Sequence, residues 1–296
     1  MPHDCSDIQR KPERHQMRNA LAAAGRYRRR TVAAAVAVIA VAGAIVLSGC
    51  ALPAQSGEGP ALVDAAPAVS RVLNPGNGRL EAVVPEIGRT VLLIGDSQSE
   101  PADGWPRLGL AAAGYRVYFC GRGGTGFVTS KGATGNYIDA LLRGDWLLPA
   151  GTPALVVVQG GGNDATSGAS DSDIVANAER LIGELQRRYP GTRLAMIGTL
   201  ARGEGHGGGR RSEVDALLGS VAADHGLPFV AVGDWLTRYG LVKDLEDSVH
   251  MNPGGRRALG TLLERRLREL GLERTPTADV APLLDARTGG AGAGQD

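Results

Sequence analysis

Short apolar runs alternate with longer segments of mixed polarity along the middle of the chain. Five runs rich in Val, Leu and Ile are typical of buried parallel strands, and we predict strands at residues 90–94, 116–120, 154–159, 193–198 and 228–232. The segments between them repeat apolar residues at helical spacing. We predict helices at residues 105–113, 136–142, 171–189, 211–225 and 253–270.

Residues at the ends of these segments support the alternation. Ser170 or Asp171 can cap the third predicted helix, Gly226 can end the fourth, and Pro253 suits the first turn of the fifth. Strands separated by helices form right-handed βαβ units, which build a parallel sheet covered on both faces. The expected fold is therefore α/β, a three-layer α/β/α domain with a five-stranded parallel sheet.

The regions flanking this pattern have a different composition. Residues 32–47 are uncharged and mostly Ala, Val and Ile, and they follow three arginines at residues 28–30. A basic patch before an apolar segment too short for a typical membrane span is typical of an export signal. Residues 51–80 are rich in Ala, Pro, Gly and Ser. We divide the chain into a leader (1–49), a flexible tether (50–80), a folded domain (81–274) and a disordered tail (275–296).

The apolar run ends in Leu47-Ser48-Gly49-Cys50, which resembles the lipobox of bacterial lipoproteins. The resemblance implies cleavage before Cys50, lipidation of that cysteine and an outward-facing protein held at the membrane. The alternative is an uncleaved anchor helix with an incidental cysteine. With Cys50 lipidated, Cys120 would be the only cysteine left in the mature domain, so no internal disulfide could form. The place of Cys120 at the end of a strand predicts a buried thiol.

The distribution of charge narrows the class of partner. The formal net charge is +1, but the first 30 residues carry eight Arg or Lys against three acids, a net +5 that leaves −4 for the rest. A mildly acidic domain argues against binding to nucleic acid. The oligomeric state stays open.

Four short polar clusters, in chain order, lie after predicted strands or before the last helix. They are Gly95-Asp96-Ser97, Gly121-Arg-Gly-Gly-Thr-Gly126, Gly161-Gly-Asn163-Asp164 and Asp247-Ser-Val-His250. Ligands bind outside the carboxyl ends of the strands in open α/β sheets. An asparagine amide there can stabilise an oxyanion, and an Asp three residues before a His can orient an imidazole that accepts a proton from a serine.

These clusters, in this order, resemble the SGNH hydrolases, also called GDSL hydrolases, over residues 90–270. The resemblance implies a flavodoxin-like SGNH fold and no metal or cofactor. It implies Ser97 as nucleophile, His250 as general base and then acid, and Asp247 as the residue that orients His250. The implied oxyanion donors are the backbone N–H groups of Ser97 and Gly124 and the side chain of Asn163.

Other chemistries fit the sequence less well. The glycine-rich cluster lacks the Gly-Lys-Ser/Thr of a phosphate-binding loop, and the chain has no Gly-x-Ser-x-Gly of the α/β-hydrolases. A metal hydrolase would need Asp96, Asp164, Asp247 and His250 to converge, without any His-x-x-x-His or Cys-x-x-Cys pair in support.

We therefore expect an extracytoplasmic serine esterase that acts through an acyl-enzyme on a small-molecule, glycan or lipid ester. The alternatives are an O-acyltransferase acting on cell-envelope glycans, which would use the same residues, and a non-enzymatic envelope-binding lipoprotein. The acyl group and the alcohol stay open.

Overall fold

A five-stranded parallel sheet forms the centre of residues 70–274, the part of the chain that the computed structural model describes. The strands in chain order are β1 (Arg71–Asn74), β2 (Arg79–Ala82), β3 (Thr90–Gly95), β4 (Arg116–Gly121), β5 (Leu155–Gln159), β6 (Leu194–Ile197) and β7 (Phe229–Val230). The sheet has the order β4-β3-β5-β6-β7, and every neighbouring pair is parallel. The predicted α/β class and five-stranded parallel sheet are confirmed.

Helices connect the strands and cover both faces of the sheet. They are α1 (Trp105–Ala112), α2 (Tyr137–Arg143), α3 (Gly162–Ser167), α4 (Asp171–Arg188), α5 (Gly209–Asp224), α6 (Trp235–Arg238) and α7 (Pro253–Glu269). Five of them begin and end within two residues of the predicted bounds. The short helices α3 and α6 were not predicted, and β7 has two residues where five were expected.

The core is divided in two by the sheet, as the alternation of side chains along β3 shows. Leu92 and Ile94 point to one face and pack in a cluster with side chains of α2, α4 and α5. Val91 and Leu93 point to the other face and pack with side chains of α1 and α7. This is the three-layer arrangement expected from strands that are buried on both faces.

Helices α1 and α7 pack against each other through glycines. A Cβ on Gly109 of α1 would lie 2.7 Å from the side chain of Leu263, and a Cβ on Gly260 of α7 would lie 2.8 Å from Leu108. Only glycine leaves room for such a close approach of two helices. Helix α7 begins at Pro253, and the preceding Asn252 accepts a hydrogen bond from the N–H of Gly255.

An antiparallel hairpin, β1–β2, corrects the expectation for the end of the predicted tether. Residues 71–74 pair with residues 79–82, so β1 and the first half of β2 fall within residues 50–80, for which we expected no regular structure. The connection, Asn-Pro-Gly-Asn-Gly, closes with a 2.8 Å bond from the N–H of Gly78 to the carbonyl of Asn74. Asn, Pro and Gly are the residues that tight turns favour, so this sequence carried a hairpin signal.

The hairpin is attached at the edge of the sheet where the parallel strands begin. The N–H of Ala82 donates to the carbonyl of Leu148, and the N–H of Ala150 donates back to Ala82, both at 2.8 Å, just before β5. Buried Glu81 forms an ion pair with Arg188 at 2.5 Å, at the end of α4. Residues 83–89 then lead from β2 into the start of β3.

Several sequence predictions lie outside the described residues. These are the leader, the lipidation of Cys50, residues 51–69 of the tether and the tail at 275–296. Within residues 70–274, no helix has the length and apolar character needed to cross a membrane. Cys120 is buried, and burial raises the pKa of its thiol to about 12.

A buried carboxylate, Asp215 of α5, joins the ends of the last two strands. It accepts hydrogen bonds from the N–H groups of Thr199, after β6, and Val232, after β7, at 2.9 and 3.2 Å. Burial raises its pKa to about 6. The protonated form is therefore favoured in the folded protein relative to the unfolded chain, where an aspartate titrates near pH 4.

This raised pKa predicts a pH dependence of stability. The folded state binds more protons than the unfolded state between pH 4 and 6, so the contribution of Asp215 to the free energy of unfolding falls as pH rises through that window. We expect the unfolding free energy of wild type, measured relative to that of Asp215→Asn, to fall by about 3 kcal/mol between pH 4 and pH 6. Urea denaturation at a series of pH values measures this, and a difference independent of pH would contradict it.

Candidate active site

The four polar clusters of the sequence meet at the carboxyl edge of the sheet. Ser97 follows β3, the glycine-rich loop follows β4, and Asn163 lies in the first turn of α3, which begins shortly after β5. His250 precedes α7, which packs on α1 below the same edge. The predicted site residues therefore lie on different elements that the parallel topology brings to one place.

Three of these residues form a continuous chain of hydrogen bonds. Nδ1 of His250 lies 2.7 Å from Oδ2 of Asp247, and Nε2 of His250 lies 2.8 Å from Oγ of Ser97. Each distance is within hydrogen-bonding range. The structure brings together the serine, histidine and aspartate that the sequence singled out.

The loop that carries Asp247 holds its carboxylate in one orientation. Oδ1 accepts the N–H groups of Val249 and His250, both at 2.7 Å, and Oδ2 contacts the ring of His250. The backbone N–H of Val249 and the His250 side chain hold the pKa of Asp247 well below its usual range. Asp247 is therefore ionised at neutral pH and acts as an acceptor toward Nδ1–H of His250.

Gln98 and Trp105 fix this loop relative to the serine, which the sequence analysis did not foresee. The Nε2 amide of Gln98 donates to the carbonyl of Val249 at 2.9 Å. Its Oε1 accepts the indole N–H of Trp105 at 3.1 Å, and Trp105 is fully buried. The residue after Ser97 is thus bonded to the residue before His250, across a sequence separation that no local pattern indicates.

The carboxylate of Asp96, beside the serine, is hydrogen-bonded within the turn that follows β3. It is buried and its Oδ1 accepts the N–H of Gln98 at 2.9 Å. Burial raises its pKa to about 6, an effect that the charge of Arg211 partly opposes. These contacts define the turn that presents Ser97 at the end of β3.

Asn163 and the glycine-rich loop are held together by the next residue, Asp164. Its buried carboxylate accepts the N–H groups of Phe127 and Val128 at 2.8 Å each. The side-chain amide of Asn163 donates to the carbonyl of Thr125 at 2.8 Å. A primary amide has two hydrogens, so the second hydrogen of Asn163 remains for another acceptor.

Gly123, rather than Gly124, lies against the serine. A Cβ on Gly123 would lie 3.3 Å from the Cβ of Ser97, whereas a Cβ on Gly124 would meet the side chain of Lys131 at 3.2 Å. The N–H of Gly123 donates to Oε2 of Glu100 at 2.9 Å. The sequence could not separate these adjacent glycines, because both belong to one run of glycine.

A half-buried arginine, Arg211, supports the turn that carries Asn163. Its guanidinium donates to the carbonyls of Gly162 and Leu200 at 3.1 and 3.0 Å. Burial lowers its pKa, and the charge of Asp96 opposes that shift. On a predicted helix, an arginine is usually assigned to the solvated face, so sequence reasoning passed over it.

A cavity of about 560 Å³ opens beside the serine, and polar side chains form most of its wall. It is lined by Ser97, Gln98, Glu100, Pro101, Glu246, Asp247, His250, Met251 and Arg256. Within the described residues, no group of three or more His, Cys, Asp or Glu side chains is placed to hold a metal ion.

A comparison with protein families gives one match. Residues 93–258 match the model of the GDSL-like lipase/acylhydrolase family. The chain belongs to the GDSL-like lipase/acylhydrolase family. The matched range covers more than half of the chain and includes Ser97, the glycine-rich loop, Asn163 and His250. This GDSL-like protein is an ester-hydrolysing enzyme, as the family resemblance of its sequence implied.

Several solved structures are similar to this GDSL-like protein. A family two carbohydrate esterase from Clostridium thermocellum, in complex with cellohexaose, has 19% identity and a TM-score of 0.45 over 66% of this chain and 68% of its own. A carbohydrate acetylesterase from Sinorhizobium meliloti has 18% identity and a TM-score of 0.45 over 62% and 99%. An aryl esterase from M. smegmatis has 17% identity and a TM-score of 0.44 over 62% and 99%.

A search of curated proteins gives no match to this chain.

Proposed function

We propose that this protein is an extracytoplasmic serine esterase that cleaves carboxylic esters through Ser97, His250 and Asp247 and an acyl-enzyme. The observation that carries the proposal is the unbroken contact from Asp247 through His250 to Oγ of Ser97, at 2.7 and 2.8 Å. A serine hydroxyl needs an adjacent base to become a nucleophile, and the base needs a partner that fixes its tautomer.

In the first half-reaction, Oγ of Ser97 bonds to the ester carbonyl carbon while its proton passes to Nε2 of His250. The tetrahedral intermediate collapses, the bond to the alcohol breaks, and His250 returns the proton to the leaving oxygen. Water then attacks the acyl-enzyme while His250 takes its proton; the bond between the acyl group and Oγ of Ser97 breaks, His250 returns the proton to Oγ, and the acid leaves. Asp247 stabilises the imidazolium in both halves.

The negative oxygen of the intermediate needs fixed donors beside Ser97. The proposed donors are the N–H of Ser97, the second hydrogen of the Asn163 amide and the N–H of Gly123 in place of Gly124. The contacts of Asp164 with the glycine-rich loop and of Arg211 with Gly162 hold these donors in position.

Labelling with a fluorophosphonate tests the nucleophile. We expect the full chain to react and the mass increase to map to the peptide that contains Ser97. Labelling should be lost in Ser97→Ala and retained in Ser248→Ala, a change of an exposed serine in the His250 loop. A label on another residue, or none on a folded protein that cleaves esters, would reject the proposed nucleophile.

Replacement of Glu100 is expected to raise the rate of hydrolysis. The Glu100 carboxylate accepts the N–H of Gly123, one of the proposed oxyanion donors, and so places a negative charge beside the proposed oxyanion position. Two unit charges about 5 Å apart in water repel by about 0.8 kcal/mol, a factor of about four in rate. We therefore expect Glu100→Gln to raise kcat for a short-chain ester about fourfold. A steady-state measurement that gives a lower kcat would show that the carboxylate assists the reaction.

The proposed location rests on the sequence before the described residues. The apolar run at 32–47 followed by Leu47-Ser48-Gly49-Cys50 supports export and lipidation of Cys50. We expect the mature chain to begin at a lipid-modified Cys50, and Cys50→Ala to release the protein from the membrane or to leave it uncleaved. Mass spectrometry of the amino-terminal peptide measures this, and an unmodified Cys50 preceded by the intact leader would contradict it.

A further inference from the structure

Exposed apolar side chains are collected on one part of the described structure. Seven large apolar side chains are exposed among residues 70–274, and five of them lie on or beside the hairpin: Val72, Leu73, Leu80, Val83 and Leu142. Leu73 and Leu80 are directly paired across β1 and β2, so they share a face of the hairpin, and they are 59% and 54% exposed. We call this set, together with the arginines described next, the hairpin face.

Arginines surround these apolar side chains. Two adjoining cavities of about 470 and 410 Å³ lie beside the hairpin, and their charged lining consists of five arginines and two carboxylates: Arg71, Arg79, Arg143, Arg187, Arg188, Asp145 and Glu184. Among residues 70–274, Arg71 and Arg79 form no ion pair, and Arg79 donates to the carbonyls of Leu141 and Leu142. The other three arginines are paired with carboxylates, in Arg143–Asp145, Arg187–Glu184 and Arg188–Glu81. The hairpin face is therefore positive, although the chain beyond residue 30 carries a net negative charge.

The hairpin face lies at the opposite edge of the sheet from the serine. Ala82 is bonded to Leu148 and Ala150 ahead of β5, at the edge where the strands begin, whereas Ser97 follows the end of β3. The hairpin is also the first described element of the chain, and Arg71 follows Cys50 by only 21 positions. An attachment at Cys50 would therefore join the membrane to the domain at the hairpin, through a connection that spans at most about 70 Å.

We propose that the hairpin face binds the surface of a bilayer that contains anionic lipid. Leu73 and Leu80, which share one side of the hairpin, enter the headgroup region, and Arg71, two positions before Leu73 on the same side, binds lipid phosphate. The proposal rests on the membrane attachment included in the proposed function. It names the surface on which the domain lies and the direction in which its active site points.

The chemistry of the hairpin face fits this occupant. Guanidinium groups bind phosphate through paired N–H donors, and basic side chains next to an anionic leaflet strengthen binding. Apolar side chains that enter the headgroup region complete an interfacial site. A short connection to an anchored residue keeps the local lipid concentration high, so even a weak surface contact is populated.

The consequence concerns the substrate. A domain that lies on the bilayer through the hairpin face directs the cavity at Ser97 away from the membrane. An ester on the glycan layer or on a soluble molecule can then enter the cavity, whereas an ester within the same bilayer cannot reach it.

Tryptophan fluorescence of the full chain in vesicles tests the proposal. The three native tryptophans are buried: Trp105, Trp146 and Trp235. Trp146 lines one of the hairpin cavities, so the wild-type protein with the same vesicles gives the background that is subtracted. Leu73→Trp places a new indole on the hairpin face. Val242→Trp places one at another exposed apolar position, 37% exposed, in the segment between β7 and His250. Vesicles of phosphatidylcholine with brominated chains, with and without phosphatidylglycerol, quench an indole that enters the bilayer.

We expect strong quenching and a blue-shifted emission for Leu73→Trp in the anionic vesicles and neither change for Val242→Trp. Adding Arg71→Gln to Leu73→Trp should lower the ratio of bound to unbound hairpin by about fivefold, the effect of one basic side chain at an anionic surface. Equal quenching of the two indoles would overturn the proposal. A blue shift without vesicles that increases with protein concentration would also overturn it, because a second copy would then cover the face.

Ester hydrolysis by the same samples separates this proposal from the proposed function. Vesicle binding is measured without substrate, and hydrolysis of a soluble ester is measured without vesicles. An active enzyme whose Leu73→Trp indole is not quenched loses only the hairpin inference. A quenched indole on a protein that fails to label at Ser97 loses only the proposed mechanism.

Discussion

Replacing Ser97 with alanine is expected to lower kcat for a short-chain ester by at least about 10³-fold, with little change in KM. The side chain that would form the covalent bond is removed, while the cavity and the proposed oxyanion donors remain. The residual rate would come from those donors acting on bound water. Steady-state kinetics with a chromogenic ester, on protein whose fold is verified by circular dichroism, measures the effect.

Ser248→Ala is the matched control for this change. Ser248 lies between Asp247 and Val249 and is exposed, so its hydroxyl is lost without any effect on the Ser97–His250 contact. Its kcat should equal that of wild type. An active Ser97→Ala protein would exclude the acyl-enzyme. It would instead support direct attack on the ester by water that His250 activates.

Changing Asp247 to asparagine is expected to lower kcat about 10³-fold while the protein stays folded. The Asn amide would donate toward Nδ1 of His250, whereas the carboxylate accepts from it. Nδ1 would then carry the lone pair and Nε2 the proton, so Nε2 could no longer accept the proton of Ser97. The loss arises from the wrong tautomer rather than from a missing contact.

Asp234→Asn is a control of equal exposure, because the side chains of Asp234 and Asp247 are both 54% exposed. Asp234 is 3.9 Å from Arg238 and has no contact with His250. Measuring kcat of both variants across pH distinguishes the loss of the acceptor at His250 from a general effect of surface charge. A loss of similar size in both would show a general effect of surface charge, and retained activity in Asp247→Asn would remove Asp247 from the mechanism.

The sheet and the positions of the site residues could be predicted because the physics behind them is local. Strands buried on both faces favour continuous apolar runs, such as residues 91–94 in β3 and 155–158 in β5, so their ends are visible in the sequence. The chain then continues with residues that suit the sheet edge, such as Ser97 and Asn163. Once the strands are parallel, these ends must meet.

The hairpin escaped prediction because its side chains are not sorted by polarity. β1 lacks the alternation that a half-buried strand shows, and both Val72 and Leu73 are exposed. β2 alternates in polarity, but Leu80 is exposed while Glu81 is buried, the reverse of the usual pattern. Its attachment depends on Ala82 and Glu81 contacting residues 66 to 107 positions away. No local pattern carries that information.

The contacts that hold the site together escaped prediction for a similar reason. Gln98 bonds to Val249 across 151 positions, and Arg211 bonds to Gly162 across 49. Each residue type is common on surfaces, so burial and partner are set only by the folded chain. The choice between Gly123 and Gly124 likewise depends on which glycine faces Ser97.

The glycine contact between α1 and α7 bears on how activity can be lost. Helix α1 begins eight residues after Ser97, and α7 begins three residues after His250, so the crossing of these helices sets the spacing of nucleophile and base. A methyl group added at Gly109 or Gly260 would act as a wedge between them. Relatives that retain every reacting residue could thus become inactive through a substitution at this contact between α1 and α7. An intact set of motifs would then not guarantee catalysis.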